Sequence, residues 1–436
     1  MISRSLEAVG RALAPLERDG CCTVASLRAR SYTPFYALLR RSSRTDGVRI
    51  REVSLAVIGI GQDDLEQHAP GQRPNREDYI VSMKAGIVLL SLAFVCPGGA
   101  WAADDGCKPS GGLEFVCGLK NPEDLVVVPG TKWILASEMA AGVGITAIDA
   151  RDGSHSQIYP GDTPAAKHDT LYTECETPPD AAKLETHGLN LRVGASGRPT
   201  LYAVAHGARE SIEVFDVETT GARPKLTWKG CVPMPQGLAA NSVASFADGG
   251  LVATVLLMPG KTFADSIARK PTGAVYEWAP GKHGFELVKG SELPGNNGIE
   301  VSGDGKQIFV VSSGLQTIVA LAHENPTMQL GTTRPLPFTP DNVHMGPNGK
   351  LLTAGMKNDE PACGGAPGPQ HDLAKLSTCP RGFIAMSIDP ATMKDTLYAQ
   401  GPANPAFSNA TMVLPVDNQF WIGSFSADRV GHAPLR

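Results

Sequence analysis

Five residues far apart in the chain carry oxygen atoms of the kind that a hard metal ion binds. They are two carboxylates and three amides, and each stands at the start of a hydrophobic run: Glu123, Asn241, Asn297, Asp341 and Asn342. Calcium takes about six to eight oxygen ligands of this kind, whereas zinc prefers His and Cys. Two carboxylates would balance the charge of the ion and leave it able to polarise a carbonyl group. If the fold brings these residues together, the sequence predicts one catalytic Ca²⁺ ion.

Two histidines form a second candidate group. His187 begins the run HGLNLRV, and His206 ends the next hydrophobic run in LYAVAHG. On neighbouring strands of a hairpin the two rings could come within hydrogen-bond distance. One imidazole could then deprotonate water near neutral pH while the other orients it or relays the proton. The other histidines show no such arrangement, and we expect them in loops or on the surface: His155, His168, His283, His323, His344, His371 and His432.

These residues belong to a pattern that repeats along the chain. A short polar head stands before a strand pattern, a turn and a second strand, and in four units the turn is rich in Gly, as hairpins require. The six heads are Glu123-Asp124, His187-Gly188, Asn241-Ser242, Asn297-Gly298, Asp341-Asn342 and Ser408-Asn409. A period of this kind predicts an all-β fold, a six-bladed β-propeller with four-stranded blades around a central metal-binding channel. The innermost strands converge on that channel, so the heads should meet there.

Charge and motifs exclude several functions. The 436 residues include 39 Lys and Arg against 44 Asp and Glu, for a net charge of −5, which gives no basic surface for nucleic acid. No GxSxG, GxGxxG or P-loop motif is present, so covalent serine catalysis and nucleotide binding are not expected. A small-molecule substrate is the expected partner.

The first hundred residues differ in composition from the rest. Residues 1–82 are rich in Arg and show no repeat. Residues 83–102 combine a positive start, an apolar stretch of about a dozen residues and a small-x-small cleavage site, the three parts of a secretory signal. We therefore expect translation to start at Met83, with 1–82 an upstream extension and 103–436 the mature periplasmic or secreted domain without a stable membrane span. The alternative is a genuine Arg-rich transit or regulatory segment before an internal anchor.

Six cysteines would remain after cleavage, an even number that favours disulfides in an exported protein. Six cysteines allow fifteen pairings. Short loops favour Cys107 with Cys117 and Cys363 with Cys379, which leaves Cys175 with Cys231. None has the CxxC spacing of a zinc or redox site.

From Glu123 onward the sequence resembles the paraoxonase and arylesterase family, within the gluconolactonase-like six-bladed calcium propellers. The motifs NPEDL, NSV, NNGIEVSGDGK and PDNVHMGPNGK match the positions that hold the catalytic calcium in that family, and His187 and His206 match its histidine dyad. The resemblance implies a second, structural calcium on Asp124, the carbonyl of Leu189 and an Asp at the position where this chain has Ser242. In the family, the first cysteine pairs with one near the C-terminus. This chain has no cysteine after Cys379, so its closure must differ.

The resemblance implies a calcium-dependent hydrolase of lactones or aryl esters, with phosphotriester hydrolysis as a side activity. Two alternatives remain open. One is a sugar-lactone hydrolase of the gluconolactonase type, with Asp341 as the base in place of a histidine. The other is a non-catalytic propeller that binds a ligand through its loops, since the fold alone does not define an activity.

Overall fold

The computed structural model describes residues 35–45, 48–58, 89–90, 106–161, 165–194, 197–324, 328–368 and 378–435. The chain divides into two compact units, Met1–Ala103 and Asp104–Arg436. In the first unit, strands β1 (Phe35–Thr45), β2 (Val48–Ile58) and β3 (Leu89–Leu90) form an antiparallel sheet. The rest of the expected extension and signal segment, and His371, lie outside the described residues. The translation start and the cleavage after Ala102 therefore stay predictions.

The second unit is a six-bladed β-propeller, as the sequence predicts. Its strands form six antiparallel sheets, each of which runs from an inner strand to an outer strand. Blade 1 is β5 Pro122–Val127, β6 Trp133–Glu138, β7 Gly144–Asp149 and β8 His155–Tyr159; blade 2 is β10 Glu185–Val193, β11 Pro199–His206, β12 Ser211–Glu218 and β13 Lys225–Pro233, with the short β9 Ala165–Ala166 added in parallel; blade 3 is β14 Val243–Ser245, β15 Leu251–Val255, β16 Ala274–Trp278 and β17 Glu286–Leu287.

The remaining blades complete the ring. Blade 4 is β18 Asn296–Val301, β19 Gln307–Ser312, β20 Thr317–Ala322 and β21 Gln329–Thr332; blade 5 is β22 Phe338–Met345, β23 Leu351–Lys357, β24 Phe383–Ile388 and β25 Asp395–Gly401; blade 6 is β26 Ala410–Val416, β27 Gln419–Ser424, β28 Arg429–Pro434 and β4 Glu114–Cys117. A short helix, α1 (Phe263–Ile267), stands between β15 and β16 and begins at a Thr262 capping box. A 3₁₀ turn spans Pro361–Cys363. Within the described ranges, no helix has the length and apolar character needed to cross a membrane.

The core consists of six hydrophobic clusters, one between each pair of neighbouring blades. Between blades 1 and 2, for example, Tyr159, Phe215 and Trp228 are almost fully buried. Each large apolar side chain buried in this way contributes about 1.5–3 kcal/mol of transfer free energy. Because the blades pack face to face, the six inner strands also lie side by side, and β26 returns to β5 to close the ring.

The ring is closed by a strand from the beginning of the second unit. Strand β4 pairs with β28 in antiparallel register, with Cys117 opposite Arg429. The disulfide Cys107–Cys117 ties this strand to the segment just before it. The other pairs are Cys175–Cys231 and Cys363–Cys379, so the pairing favoured by loop length is confirmed. Backbone hydrogen bonds between β4 and β28 thus close the ring, in agreement with the expectation that closure differs from the disulfide that the resemblance implies.

Each inner strand has an irregularity, and in blades 1 to 5 it coincides with the predicted polar head. The register shifts by one residue between Pro122 and Leu125, and the same shift recurs in blades 2, 4, 5 and 6. In blade 3, Asn241 and Ser242 both bond to Thr254, which gives an equivalent break. A β-bulge re-aims the side chains that it contains. The bulge is therefore the local structure that turns the head residues toward the channel.

The sixth head lies three residues later than the sequence indicates. The shift in blade 6 falls between Ala410 and Val413, so its bulge contains Thr411 and Met412 in place of Ser408 and Asn409. The Thr411 hydroxyl donates to the main-chain carbonyl of Glu123 in the next blade. The sixth head thus supports a predicted ligand and adds no carboxylate or amide to the channel.

Two glycines let neighbouring heads approach each other. A Cβ atom at Gly188 would lie 2.6 Å from Ser242 Cα, and one at Gly298 would lie 2.7 Å from Asn342 Cα. Real Cβ atoms do not approach backbone so closely, so a side chain at either position would push two blades apart. The Gly188 N–H also donates to Asn241 O at 3.1 Å. These glycines hold the polar heads of blades 2 and 3, and of blades 4 and 5, in contact.

Candidate functional site

The structure brings the predicted ligands to one cavity at the centre of the ring. This cavity has a volume of about 540 Å³, and Glu123, Asn241, Asn297, Asp341 and His187 all contribute to its lining. Asn342 lies directly behind and donates from Nδ2 to Glu123 Oε1 at 2.6 Å. The residues come from blades 1 to 5, which confirms the convergence of heads that a propeller requires. Whether they hold a metal ion stays a prediction.

Four of the five predicted ligands have a buried side-chain oxygen without a hydrogen-bond partner. These atoms are Glu123 Oε2, Asn241 Oδ1, Asn297 Oδ1 and Asn342 Oδ1. The four residues are at most 8% exposed. A buried acceptor without a donor costs about 1–3 kcal/mol. Four such atoms at the inner ends of four blades fit a cation with a preference for oxygen, because one ion would satisfy all of them.

The surroundings of the two carboxylates in this set disfavour their ionised forms. Burial, followed by the charges of Asp341 and Asp124, raises the pKa of Glu123 well above its usual range. Burial and the charge of Asp124 likewise raise the pKa of Asp341, although a hydrogen bond from Asn297 opposes the shift. Both shifts mean that the protein groups around the ionised carboxylates, His344 included, do not supply enough positive charge to compensate them. A divalent cation would supply it.

The amide groups are held by a hydrogen-bond chain on their other side. Asn297 Nδ2 donates to Ser313 Oγ at 3.2 Å, and the Ser313 hydroxyl donates to Pro340 O at 2.9 Å. With its nitrogen engaged in this way, Asn297 presents its oxygen to the cavity. Asn342 is oriented in the same manner, because its nitrogen is engaged by Glu123. Within the described part of the chain no group of three or more His, Cys, Asp or Glu side chains is placed to hold a metal, so this candidate site depends on amide oxygens.

The two predicted histidines are in contact. His187 lies in the bulge of β10, His206 ends β11, and His187 Nδ1 is 3.2 Å from His206 Nε2. Their side chains are 15% and 17% exposed. On the other side of the ring, His187 Nε2 faces Glu123 Oε1 at 3.7 Å. His187 is therefore the histidine next to the predicted metal ligands, and His206 lies behind it.

A third residue, Glu210, completes a chain that the sequence did not indicate. Its Oε2 is 2.6 Å from His206 Nδ1. An ionised carboxylate can only accept hydrogen bonds, so His206 Nδ1 carries the proton and donates to Glu210. His206 Nε2 then accepts a hydrogen bond from His187 Nδ1–H. This assignment leaves His187 Nε2 without a proton, facing the cavity. Burial, and then the neighbouring His206, lower the pKa of His187 to about 3, so its ring is neutral at neutral pH.

Below this layer lies a buried ion-pair group that contradicts one expectation. We expected His344 in a loop or on the surface, but it lies in β22, and its Nε2 is 2.9 Å from Asp124 Oδ1. Its Nδ1 is 3.7 Å from Glu300 Oε2. Burial alone would lower the pKa of His344, but Asp124 and Glu300 outweigh it and raise that pKa to about 10. The channel therefore contains an internal cation supplied by the chain.

This arrangement does not fit the second, structural calcium that the resemblance implies. Asp124 is fully buried, and its oxygens accept from Leu125 N at 2.8 Å, Leu189 N at 2.7 Å and the His344 ring. Its acceptor positions are thus taken by N–H donors. The third implied ligand is Ser242, which carries no charge. The imidazole of His344 occupies the place of a counter-ion to Asp124.

The Glu210 carboxylate should act through His206, and its removal tests this role. We expect Glu210→Gln to lower kcat by about 3- to 30-fold with little change in KM, because the His206 tautomer is then less firmly held. Glu210→Ala should lower kcat further, and Glu210→Asp should restore part of it. Steady-state kinetics on a substrate that the protein converts checks this, with Glu218→Gln on the exposed end of β12 as the control. An equal loss in Glu218→Gln, or a change in KM alone, would contradict the positioning role.

Comparison with known proteins adds only distant likenesses. No family model matches the chain, and no curated protein matches it. Similar solved structures include a luciferin-regenerating enzyme (10% identity, 73% of this chain and 96% of that chain, TM-score 0.43), a candidate gluconolactonase (13%, 74% and 92%, TM-score 0.44) and a calcium-binding protein, regucalcin, from Agrobacterium tumefaciens (10%, 73% and 92%, TM-score 0.43). At these values they carry no argument about activity or ligands, which must come from the site itself.

Proposed function

We propose that this protein is a calcium-dependent hydrolase of lactones or aryl esters. The observation that carries the proposal is the set of four unpaired, buried oxygens, three of them on residues that line a cavity also lined by His187 and the fourth on Asn342 directly behind. A cation site and an unprotonated imidazole next to it are the two parts that hydrolysis of a carbonyl compound needs. The proposal also agrees with the motif resemblance to paraoxonases.

The residues that would hold the ion are Glu123, Asn241, Asn297, Asp341 and Asn342. When bound, calcium would act as a Lewis acid that polarises the substrate carbonyl and stabilises the negative charge formed on its oxygen. Calcium is too weak an acid to produce hydroxide at neutral pH as zinc does, so the protein must supply a base. His187 is the basic group whose free nitrogen faces the cavity.

The reaction then follows from the hydrogen-bond chain. His187 Nε2 takes one proton from a water molecule as the water oxygen forms a bond to the carbonyl carbon. The His187 imidazolium is stabilised through its Nδ1–H, which donates to His206, and through the Glu210 carboxylate behind it. When the tetrahedral intermediate breaks its bond to the ring or aryl oxygen, the imidazolium returns the proton to that oxygen. The products are a carboxylic acid, which ionises, and an alcohol or phenol.

The alternative with an Asp base has one observation in its favour. Asp341 lines the cavity, and its pKa is raised by burial. In that mechanism Asp341 would have to give up its place among the ligands, and only Glu123 would then balance the ion. We therefore assign Asp341 to the metal and the role of general base to His187.

The three disulfides favour an exported protein, and we propose the periplasm or the extracellular medium as its location.

Removal of the metal should affect both activity and stability. We expect about one calcium per chain by elemental analysis, and we expect EDTA to abolish most of the activity and lower the melting temperature. An ion that binds only the folded protein adds about 2.7 kcal/mol when its free concentration is 100 times Kd. Asn297→Ala should raise the calcium concentration needed for half-maximal activity, whereas Asn348→Ala in an exposed turn should not. Full activity and an unchanged melting temperature in EDTA would exclude the site.

A further inference from the structure

The charges on the cavity wall are unevenly distributed. Its acidic side chains in the described part of the chain are Glu123 and Asp341, both of which belong to the predicted ligand set. The wall also contains three cationic side chains: Arg269, Lys357 and Arg381. With two carboxylates balancing one divalent ion, the ligand set would be neutral. The remaining net charge of the cavity would then be positive.

Arg269 and Lys357 have no acidic partner in the described part of the structure. Arg269 follows helix α1, its main-chain N–H donates to Ser266 O at 2.8 Å, and the residue lines the cavity together with Phe263, Ser266 and Ile267 of the helix. Lys357 is half-buried at the end of β23. By contrast the adjacent Lys270, which does not line the cavity, pairs with Asp265 at 3.0 Å. The two cations on the wall are therefore the ones left for a ligand.

Arg381 plays a different part. It is 2% exposed, and its Nη1 donates to Asn358 O at 2.7 Å and Lys357 O at 3.3 Å. These bonds hold the backbone that carries Lys357. The Nε of Arg381 is buried without an acceptor, which adds a further donor at the same side of the cavity. Lys357 is thus attached to a fixed segment, which lowers the entropy lost when it binds an anion.

Most of the remaining wall surface is apolar, although Ser266, Ser313, Gln316, Thr339 and Asn358 also line the cavity. The apolar side chains include Met139, Leu256, Phe263, Ile267, Met356 and Phe425. Phe263 on helix α1 is 46% exposed and forms part of this apolar surface. The wall fits a substrate with an apolar body.

We propose that the substrate is a lactone or ester whose apolar body carries an anionic substituent, bound by Arg269 and Lys357. This inference rests on the proposed hydrolase function and specifies its substrate class. A carboxylate or a phosphate monoester would satisfy both cations through charge-assisted hydrogen bonds. The anion would lie away from the metal ligands, so that the carbonyl is left to face His187.

The test compares matched esters. Phenyl acetate, para-acetoxybenzoate and para-acetoxyphenyl phosphate share a leaving phenol and differ in the substituent. After correction for their alkaline hydrolysis rates, we expect kcat/KM to favour an anionic ester by about tenfold or more, and to lose this preference in high salt. Arg269→Gln and Lys357→Gln should each remove a large part of this preference, by about 3- to 10-fold, through KM. Lys270→Gln is the matched control and should leave both activity and preference unchanged.

Calorimetric titration with the product para-hydroxybenzoate separates this inference from the proposed function. Binding that is lost in the Arg269→Gln/Lys357→Gln double variant, in a protein that hydrolyses none of the esters, would support the anion site and exclude the hydrolase. Hydrolysis of phenyl acetate without preference for either charged ester would exclude the anion site and leave the hydrolase standing. Equal loss of preference in Lys270→Gln would also overturn the inference. Circular dichroism of each variant confirms that it is folded. If the variants lower kcat/KM more for the phosphate ester than for the carboxylate ester, the phosphate is the preferred anion.

Discussion

His187→Gln is expected to reduce kcat for a lactone or aryl ester by about 10²–10⁴, the usual range for the loss of a general base. The glutamine keeps a side chain of similar size, but it offers no basic nitrogen to the cavity. Because His187 lies outside the ligand set, calcium affinity should stay nearly unchanged. Steady-state kinetics on the best substrate, together with a calcium titration of the same protein, measures both quantities.

His283→Gln is the matched control, since His283 is exposed and distant in sequence from the site. His206→Gln should cost less than His187→Gln, because His206 acts on the reaction through its neighbour. Wild-type rates in His187→Gln on every ester that the parent hydrolyses would exclude the dyad and favour Asp341 as the general base. A loss of activity accompanied by an equal loss of calcium would instead assign His187 to the metal.

The second large effect concerns stability. His344→Ala is expected to lower the free energy of unfolding by about 3–5 kcal/mol, because Asp124 would stay fully buried without its positive partner. Chemical denaturation followed by two independent probes measures the change. His283→Ala should have almost no effect. In the double variant Asp124→Asn/His344→Gln, two neutral amides replace the ion pair, and the loss should be smaller than the sum of the single variants. A cost below about 1 kcal/mol for His344→Ala would contradict the internal ion pair.

The sequence predicts the blades and most of the site because both repeat. Glu123, Asn241, Asn297 and Asp341 stand at the same place in successive units, and a turn residue without a role in the channel has no reason to recur there. The sixth head is the exception. Ser408-Asn409 is polar like the other heads, whereas the true bulge contains Thr411 and Met412. Composition cannot separate them, because the register is set by hydrogen bonds to β27.

The residues that the sequence did not reveal act through partners from other parts of the chain. His344 meets Asp124 from blade 1 and Glu300 from blade 4, and nothing in VHMGPNGK signals either contact. The contact of Glu210 with His206 could be predicted more easily from the sequence, because Glu210 follows His206 by four residues in HGARE. A carboxylate within reach of a candidate base is a signal that could have been used. Long-range pairing, by contrast, becomes visible only when the blades are placed.

The closure of blade 6 has a consequence for the order in which the protein matures. Its outermost strand, β4, comes from the start of the unit, and its other three strands come from the end of the chain. During synthesis, β4 must therefore stay without its partner strand until β28 has emerged. The head of blade 1 is fully supported only then, because Thr411 of blade 6 bonds to Glu123. Chains that stop before blade 6 would contain all five candidate ligands but would have an open ring, and the main-chain carbonyl of Glu123 would lack its Thr411 donor.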